Sequence, residues 1–254
     1  MDEATRQQRL KQTCIVPQWP APASVQAFMT SRQGGVSEFP FNRLNLGGHV
    51  GDTPEHVAYN RQLVSAALAL PSQPLWLQQV HGTTVVNAQT ATATPEADAV
   101  VAFQRGHVGV VMTADCLPVL FCDRAGTRVA AAHAGWRGLC AGVLEATVNA
   151  LDCEPRDIMA WLGAAIGPQA FEVGEEVRSA FIAEQPQAAQ AFVPALEAGK
   201  YLANMYNLAR LRLQAVGVEA IFGGDFCTFT ETQRFFSYRR DGRTGRMASL
   251  ICLR

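Results

Sequence analysis

The sequence predicts a mixed α/β protein of the α+β kind, and three observations carry that expectation. Short apolar runs bounded by Gly, Pro, Asn and Asp outnumber the stretches with a helical period. Helices and strands do not alternate at the regular spacing of a βαβ array. The turn "DRAG" (123–126) joins two apolar runs, which marks residues 117–123 and 127–133 as a β-hairpin.

Taken in order, "SVQAFMTS" (24–31) has strand composition and leads into a Gly-, Asn- and Pro-rich loop ending near residue 52. "TPEHVAYNRQLVSAALAL" (53–70) opens with a Thr N-cap and Pro at the first helical position, then carries a helical apolar period. "LWLQQVHGTTVVNA" (75–88) predicts a strand, a Gly-marked break and a second strand, and "NAQTATATPEADA" (87–99) a surface loop. The runs 107–114 and 117–123 flank Asp115-Cys116, and "GLCAGVLEATVNAL" (138–151) predicts one helix. Beyond it, strands are expected at 160–167, 219–225 and 247–253, and helices at 174–184 and 201–217. Residues 1–20 read as a polar tail, partly disordered, and 21–254 as one catalytic domain.

Composition bounds the function. With 48% hydrophobic and 17% charged residues in 254, the chain can bury a sizeable core. A net charge of −1 offers no footprint for nucleic acid or an anionic membrane, so neither is expected as a partner. No apolar run reaches the ~18 residues of a membrane span, and "MDEATRQQRLKQT" has no apolar core of a secretory signal. Seven Cys without a CxxC pair suit a reducing cytoplasm better than a disulfide framework.

His81 in "QQVHG", Cys116 in "TADCLP" and His133 in "AAHAGWRG" are candidate metal ligands in loops or at strand ends. Zinc favours thiolate and imidazole, and three protein ligands with one open position is the catalytic pattern. Spacing alone leaves other readings open: a buried core thiol and a hydrogen-bonded core histidine, copper with Met112 as an axial ligand, or Cys116 as nucleophile with His133 as base. A multicopper oxidase needs more His than the five present.

"RQGGVS…LNLGGHVGD", "QQVHG", "TADCLPV", "HAGWRG", "IGPQAFEVG" and "SYRRDGRTGR", in this order from about residue 24 onward, resemble the YfiH family. Its members are described as laccase-domain or polyphenol oxidase proteins, purine nucleoside phosphorylases and peptidoglycan editing factors. The resemblance implies a four-layer α–β–β–α sandwich and a single zinc on His81, Cys116 and His133. It also implies purine nucleoside substrates: phosphorolysis of adenosine, inosine and methylthioadenosine, and deamination of adenosine by a metal-activated water. The alternatives are an amidase that edits a UDP-MurNAc-amino acid precursor and a copper-dependent polyphenol oxidase.

Asp115, next to the ligand Cys116, is a candidate proton shuttle, making Cys116, His133 and Asp115 the candidate catalytic set. "GWRG" places Arg137 at a strand-to-helix junction, a candidate phosphate site. Arg32 and Asn45 in the long loop, with Arg239 and Arg246 among five Arg in 234–246, are the remaining substrate-binding candidates. Phe41 is available to stack on a purine, and His49, His56 and His107 show no ligand spacing.

Overall fold

A computed structural model describes residues 2–254, and its elements in chain order are these. The first half holds α1 (Glu3–Thr13), β1 (Val25–Met29), α2 (Pro54–Ala67), β2 (Val85–Asn87), β3 (Ala99–Ala102), β4 (Val108–Thr113), β5 (Leu117–Asp123) and β6 (Val129–Ala134). After them come α3 (Trp136–Ala141), α4 (Val143–Ala150), β7 (Ile158–Leu162), β8 (Glu172–Gly174), α5 (Glu175–Glu184) and β9 (Phe192–Pro194). β10 (Lys200–Ala203), α6 (Met205–Ala215), β11 (Ala220–Gly223), α7 (Tyr238–Asp241) and β12 (Met247–Leu253) complete the chain.

Strands apolar on both faces dictate the layering. In β12 all seven residues are buried, and the two-residue period sends Met247, Ile251 and Leu253 to one core and Ala248, Leu250 and Cys252 to another. β5 divides likewise, Leu117, Val119 and Phe121 against Leu120 and Cys122. A strand that buries both faces must be covered on both. The sheet β1-β12-β4 is therefore faced outside by α1 and α2 through Leu10, Leu63 and Val64. Its inner face meets the sheet β11-β7-β5-β6-β3-β2 through Met29, Val111, Leu120 and Trp161. The far face of that second sheet is covered by α3 to α6. The result is a four-layer α–β–β–α sandwich, with β8-β10-β9 as a small separate sheet beside it.

The "DRAG" hairpin forms as the sequence predicts, with β5 and β6 antiparallel and Pro118 opposite His133. Elsewhere the structure differs. The N-terminal stretch read as a tail holds α1, capped by Asp2 and anchored by Leu10, its one buried residue. The single helix expected over 138–151 is two, because Gly142 adopts φ +99°, a left-handed turn that ends α3 before α4 begins. The helix expected over 201–217 starts only at Met205. Residues 200–203 pair with β8 and β9 instead, and Asn204 caps α6. The expected pair of strands over 75–88 reduces to β2 and two isolated bridges at Leu75 and Gln78, so His81 lies in open loop.

Candidate metal centre and active site

The β5–β6 register brings two of the candidate residues together. Cys116 ends the turn that enters β5, and His133 sits near the end of β6, one pair from the Leu117–Ala134 partners. The loop carrying His81 closes over them. Its Nε2 is 3.8 Å from Cys116 Sγ, and the His81 and His133 rings meet edge to face at 4.8 Å. One ligand atom from each of the three lies within 4.8 Å of the others. Tetrahedral zinc bonds of about 2.0–2.3 Å place ligands roughly 3.3–3.8 Å apart, so the donors stand near coordinating distance.

Asp98 organises this cluster, although it lies in the segment that reads as a plain surface loop. It is fully buried. One carboxylate oxygen accepts from His81 N at 2.9 Å and stands 2.8 Å from His133 Nδ1. The other accepts from Val80 N at 3.2 Å and Gly82 N at 2.7 Å. An ionised carboxylate only accepts, so the proton belongs on His133 Nδ1 and the free ring nitrogen is Nε2. Three amides converging on one carboxylate also stabilise His81 at φ +62°, a conformation that L residues rarely adopt. A single Asp thus sets the loop of one histidine and the tautomer of the other.

Electrostatics favour the deprotonated thiol. Burial alone would push the Cys116 thiol up, but the His133 and His81 imidazoles outweigh it and hold the thiol well below its ordinary value. Burial likewise opposes charge on His133, yet the Cys116 sulfur and the Asp98 carboxylate raise it. Asp98 is destabilised by burial and more than compensated by His133 and the loop amides, which leaves its pKa lowered. A thiolate and two imidazoles with no carboxylate suit zinc or copper and not magnesium or calcium.

The glycines of "HAGWRG" serve close approach. A Cβ on Gly135 would lie 2.5 Å from His81 Cδ2 and 3.2 Å from Cys116 Sγ, and one on Gly138 would lie 2.8 Å from the Gly82 carbonyl oxygen. α3 packs directly on the His81 loop, and only glycine leaves room.

The cluster opens into a cavity of about 390 Å³ also lined by His49, Gln79, Met112, Tyr238 and Arg246. Arg246 is half-buried, with Nη1 held by the carbonyls of Thr244 and Gly245 at 3.0 and 3.1 Å. Burial lowers its pKa, partly offset by Cys116 and Asp115. The His49 pKa is lowered by burial and then by Arg246, Arg61 and His133.

The family described as "Multi-copper polyphenol oxidoreductase laccase" matches residues 26–254. A protein of Escherichia coli K12 named "Purine nucleoside phosphorylase YfiH" is 60% identical over 94% of this chain and 98% of its own. This chain belongs to the YfiH family. A Haemophilus influenzae relative named "Purine nucleoside phosphorylase" is 51% identical over 93% of this chain and 98% of its own. The crystal structure of a Neisseria meningitidis protein superposes with a TM-score of 0.91 at 53% identity, covering 95% and 99% of the two chains. That of the Bacillus licheniformis YfiH protein does so with 0.85 at 32%, covering 91% and 93%.

Within this YfiH-family site, the other sequence candidates fall in different places. Asp115 does not line the cavity. One oxygen accepts from Thr228 Oγ1 at 2.6 Å, the other from Ser237 Oγ at 3.0 Å and Arg239 N at 2.7 Å. It clamps the 228 and 237–239 segments behind Cys116, and its φ of +90° turns the chain into the ligand; that geometry replaces the proton-shuttle expectation. Asn45 is fully buried and positions Arg246 by accepting from its backbone N at 2.9 Å. Arg137 is exposed and stacks on Trp136 at 4.5 Å, outside the cavity. Arg239 reaches the Glu172 carbonyl oxygen at 2.8 Å, and Arg32 lines a separate cavity. Phe41 is buried beneath Arg243. Of the substrate-binding candidates, only Arg246 shares the cavity with the cluster, while His49, read as a residue without a ligand role, lines it.

Proposed function

We propose that this chain is a zinc-dependent purine nucleoside enzyme. It cleaves adenosine, inosine and methylthioadenosine with phosphate to the base and (methylthio)ribose 1-phosphate, and it deaminates adenosine. The observation that supports this most is the His81–Cys116–His133 cluster, braced by Asp98 and opening beside Arg246, in a chain so similar to proteins named purine nucleoside phosphorylase.

His81, Cys116 and His133 would hold the zinc, which when bound supplies a Lewis acid at the base of the cavity. Asp98 keeps His133 in one tautomer and the His81 loop closed. Arg246 lines the cavity and uses Nη1 on backbone carbonyls, which leaves Nε and Nη2 as donors for a phosphate oxygen. The exposed Tyr238 ring at the rim offers a face for a purine. In phosphorolysis a phosphate oxygen bonds to the ribose anomeric carbon as the bond to the purine nitrogen breaks. Arg246 then pairs the attacking anion, and the His49 imidazole lines the same cavity as a further hydrogen-bonding group. Purified protein given inosine should release hypoxanthine only when phosphate is present; phosphate-independent release, or none, overturns the assignment.

One observation favours a second reading. Cys116, His133 and Asp98 also form the series nucleophile, base and orienting carboxylate, with the thiol already lowered. That arrangement would serve a cytoplasmic amidase acting on a UDP-MurNAc-amino acid without metal. It leaves His81, 3.8 Å from the sulfur, with no role. Copper would fit the same soft donors, but the described residues contain a single three-ligand cluster, too few for multicopper oxidation. Seven unpaired cysteines support a cytoplasmic, reducing location.

A further inference from the structure

A second cavity, of about 430 Å³, lies where α1, the 32–43 loop and the 232–241 segment meet. Arg9, Arg32, Arg43 and Arg240 line it, and Asp241 is the one carboxylate among its lining residues. That carboxylate is already taken, because Arg240 Nε and Nη2 each hold one of its oxygens at 2.8 Å. The other three arginines form no ion pair among the described residues. The cavity therefore holds three arginines without an ion-pair partner among the described residues, a local excess of positive charge in a chain whose net charge is −1.

Arg32 is the half-buried, fixed member of this group, and Arg9 and Arg43 are exposed beside it. Arg32 is pinned by Nε to the Asn42 carbonyl oxygen and by Nη1 to the Thr232 carbonyl oxygen, both at 3.0 Å. Its face lies on the Phe236 ring at 4.8 Å, and Nη2 has no acceptor among the described residues. Among the described residues Arg43 makes no side-chain hydrogen bond, and Arg9 makes one, from Nη2 to Gln33. Half-burying Arg32 without a carboxylate of its own has a desolvation cost, and burial lowers its pKa. Arg32 is thus a fixed fork, flanked by guanidinium groups with N–H donors to spare, and guanidinium forks match phosphate oxygens better than ammonium groups do. The volume falls within the ~300–1,000 Å³ of small-molecule sites, larger than a lone ion needs.

We propose that this arginine-lined cavity is a second binding site, distinct from the metal centre, for a small molecule bearing phosphate groups. The metal cavity is lined by none of these four arginines, so the two sites separate by mutation.

Calorimetric titration of the full chain, carrying Arg246→Ala to silence the metal-cavity anion site, tests this with three probes: inorganic phosphate, pyrophosphate and ADP. At least one should bind, and the one that binds tells a free anion from a polyphosphate or a nucleotide. Adding Arg9→Gln and Arg43→Gln should weaken that binding about tenfold or more. The same pair in an otherwise wild-type chain should leave inosine phosphorolysis and the circular dichroism spectrum unchanged. Absence of binding by all three probes, or affinity undiminished in the Arg9→Gln, Arg43→Gln protein, overturns the proposal.

Discussion

The Asp98 carboxylate stands 2.8 Å from Nδ1 of His133 and, through the same oxygen, accepts the backbone N–H of His81. Two side chains far apart in sequence are thereby referenced to one buried anion. Asp98→Asn would place an amide NH2 against one of two pairs of N–H donors. The expected outcome is a loss of roughly 10–100-fold in zinc affinity, measured by chelator competition. Asp98→Glu should restore less than the wild-type value, because a longer side chain displaces the loop it is meant to hold.

Gly135→Ala is a sharper probe of geometry. Its φ of −63° suits any residue, so the substitution carries no backbone penalty. The added methyl meets His81 Cδ2 at 2.5 Å and Cys116 Sγ at 3.2 Å. Metal content should fall while circular dichroism remains that of the wild type.

The pH dependence of Cys116 follows from the sign of its shift. Its folded-state thiol lies below the ordinary value of about 9, so the thiolate forms as pH rises through the lower value. In metal-free protein, alkylation of Cys116 by iodoacetamide should rise at a pH well under that of a free thiol. In His133→Gln the largest lowering influence is gone and burial remains, so the rise should move to higher pH. Zinc should suppress the reaction in the wild type.

Arg246 and Arg137 separate by phosphate dependence. Arg246→Ala removes a half-buried guanidinium beside the cluster and should raise the phosphate KM roughly tenfold to a hundredfold. Arg137→Ala removes an exposed side chain stacked on Trp136 and should change it little. Initial rates against phosphate concentration check both.

How much of this was legible in the sequence follows from how far each feature depends on contacts distant in the chain. The β5–β6 hairpin, and so the nearness of His133 to Cys116, is written in a turn and two apolar runs. The layered fold and the ligand set came from motifs that resemble a family. Asp98 carried no such signal: its partners at 80–82 and 133 are defined only when the His81 loop folds over β3. Arg32 is singled out by its place in the long loop and Arg137 by the strand-to-helix junction, and neither signal says where a side chain points: one guanidinium turns to carbonyls and Phe236, the other to Trp136. Residues 200–203 lost their strand to a longer helical period, because the pairing that makes them β10 comes from two earlier segments, β8 and β9, that lie on either side of it in the sheet.

The central claim is that His81, Cys116 and His133 share one ion. Elemental analysis of protein prepared without added copper, beside its Cys116→Ser variant, tests it most directly. The expected result is about one zinc per chain in the wild type and none in the variant, with both folded by circular dichroism. A wild-type protein active without metal, or a Cys116→Ser variant that keeps its zinc, would contradict the claim.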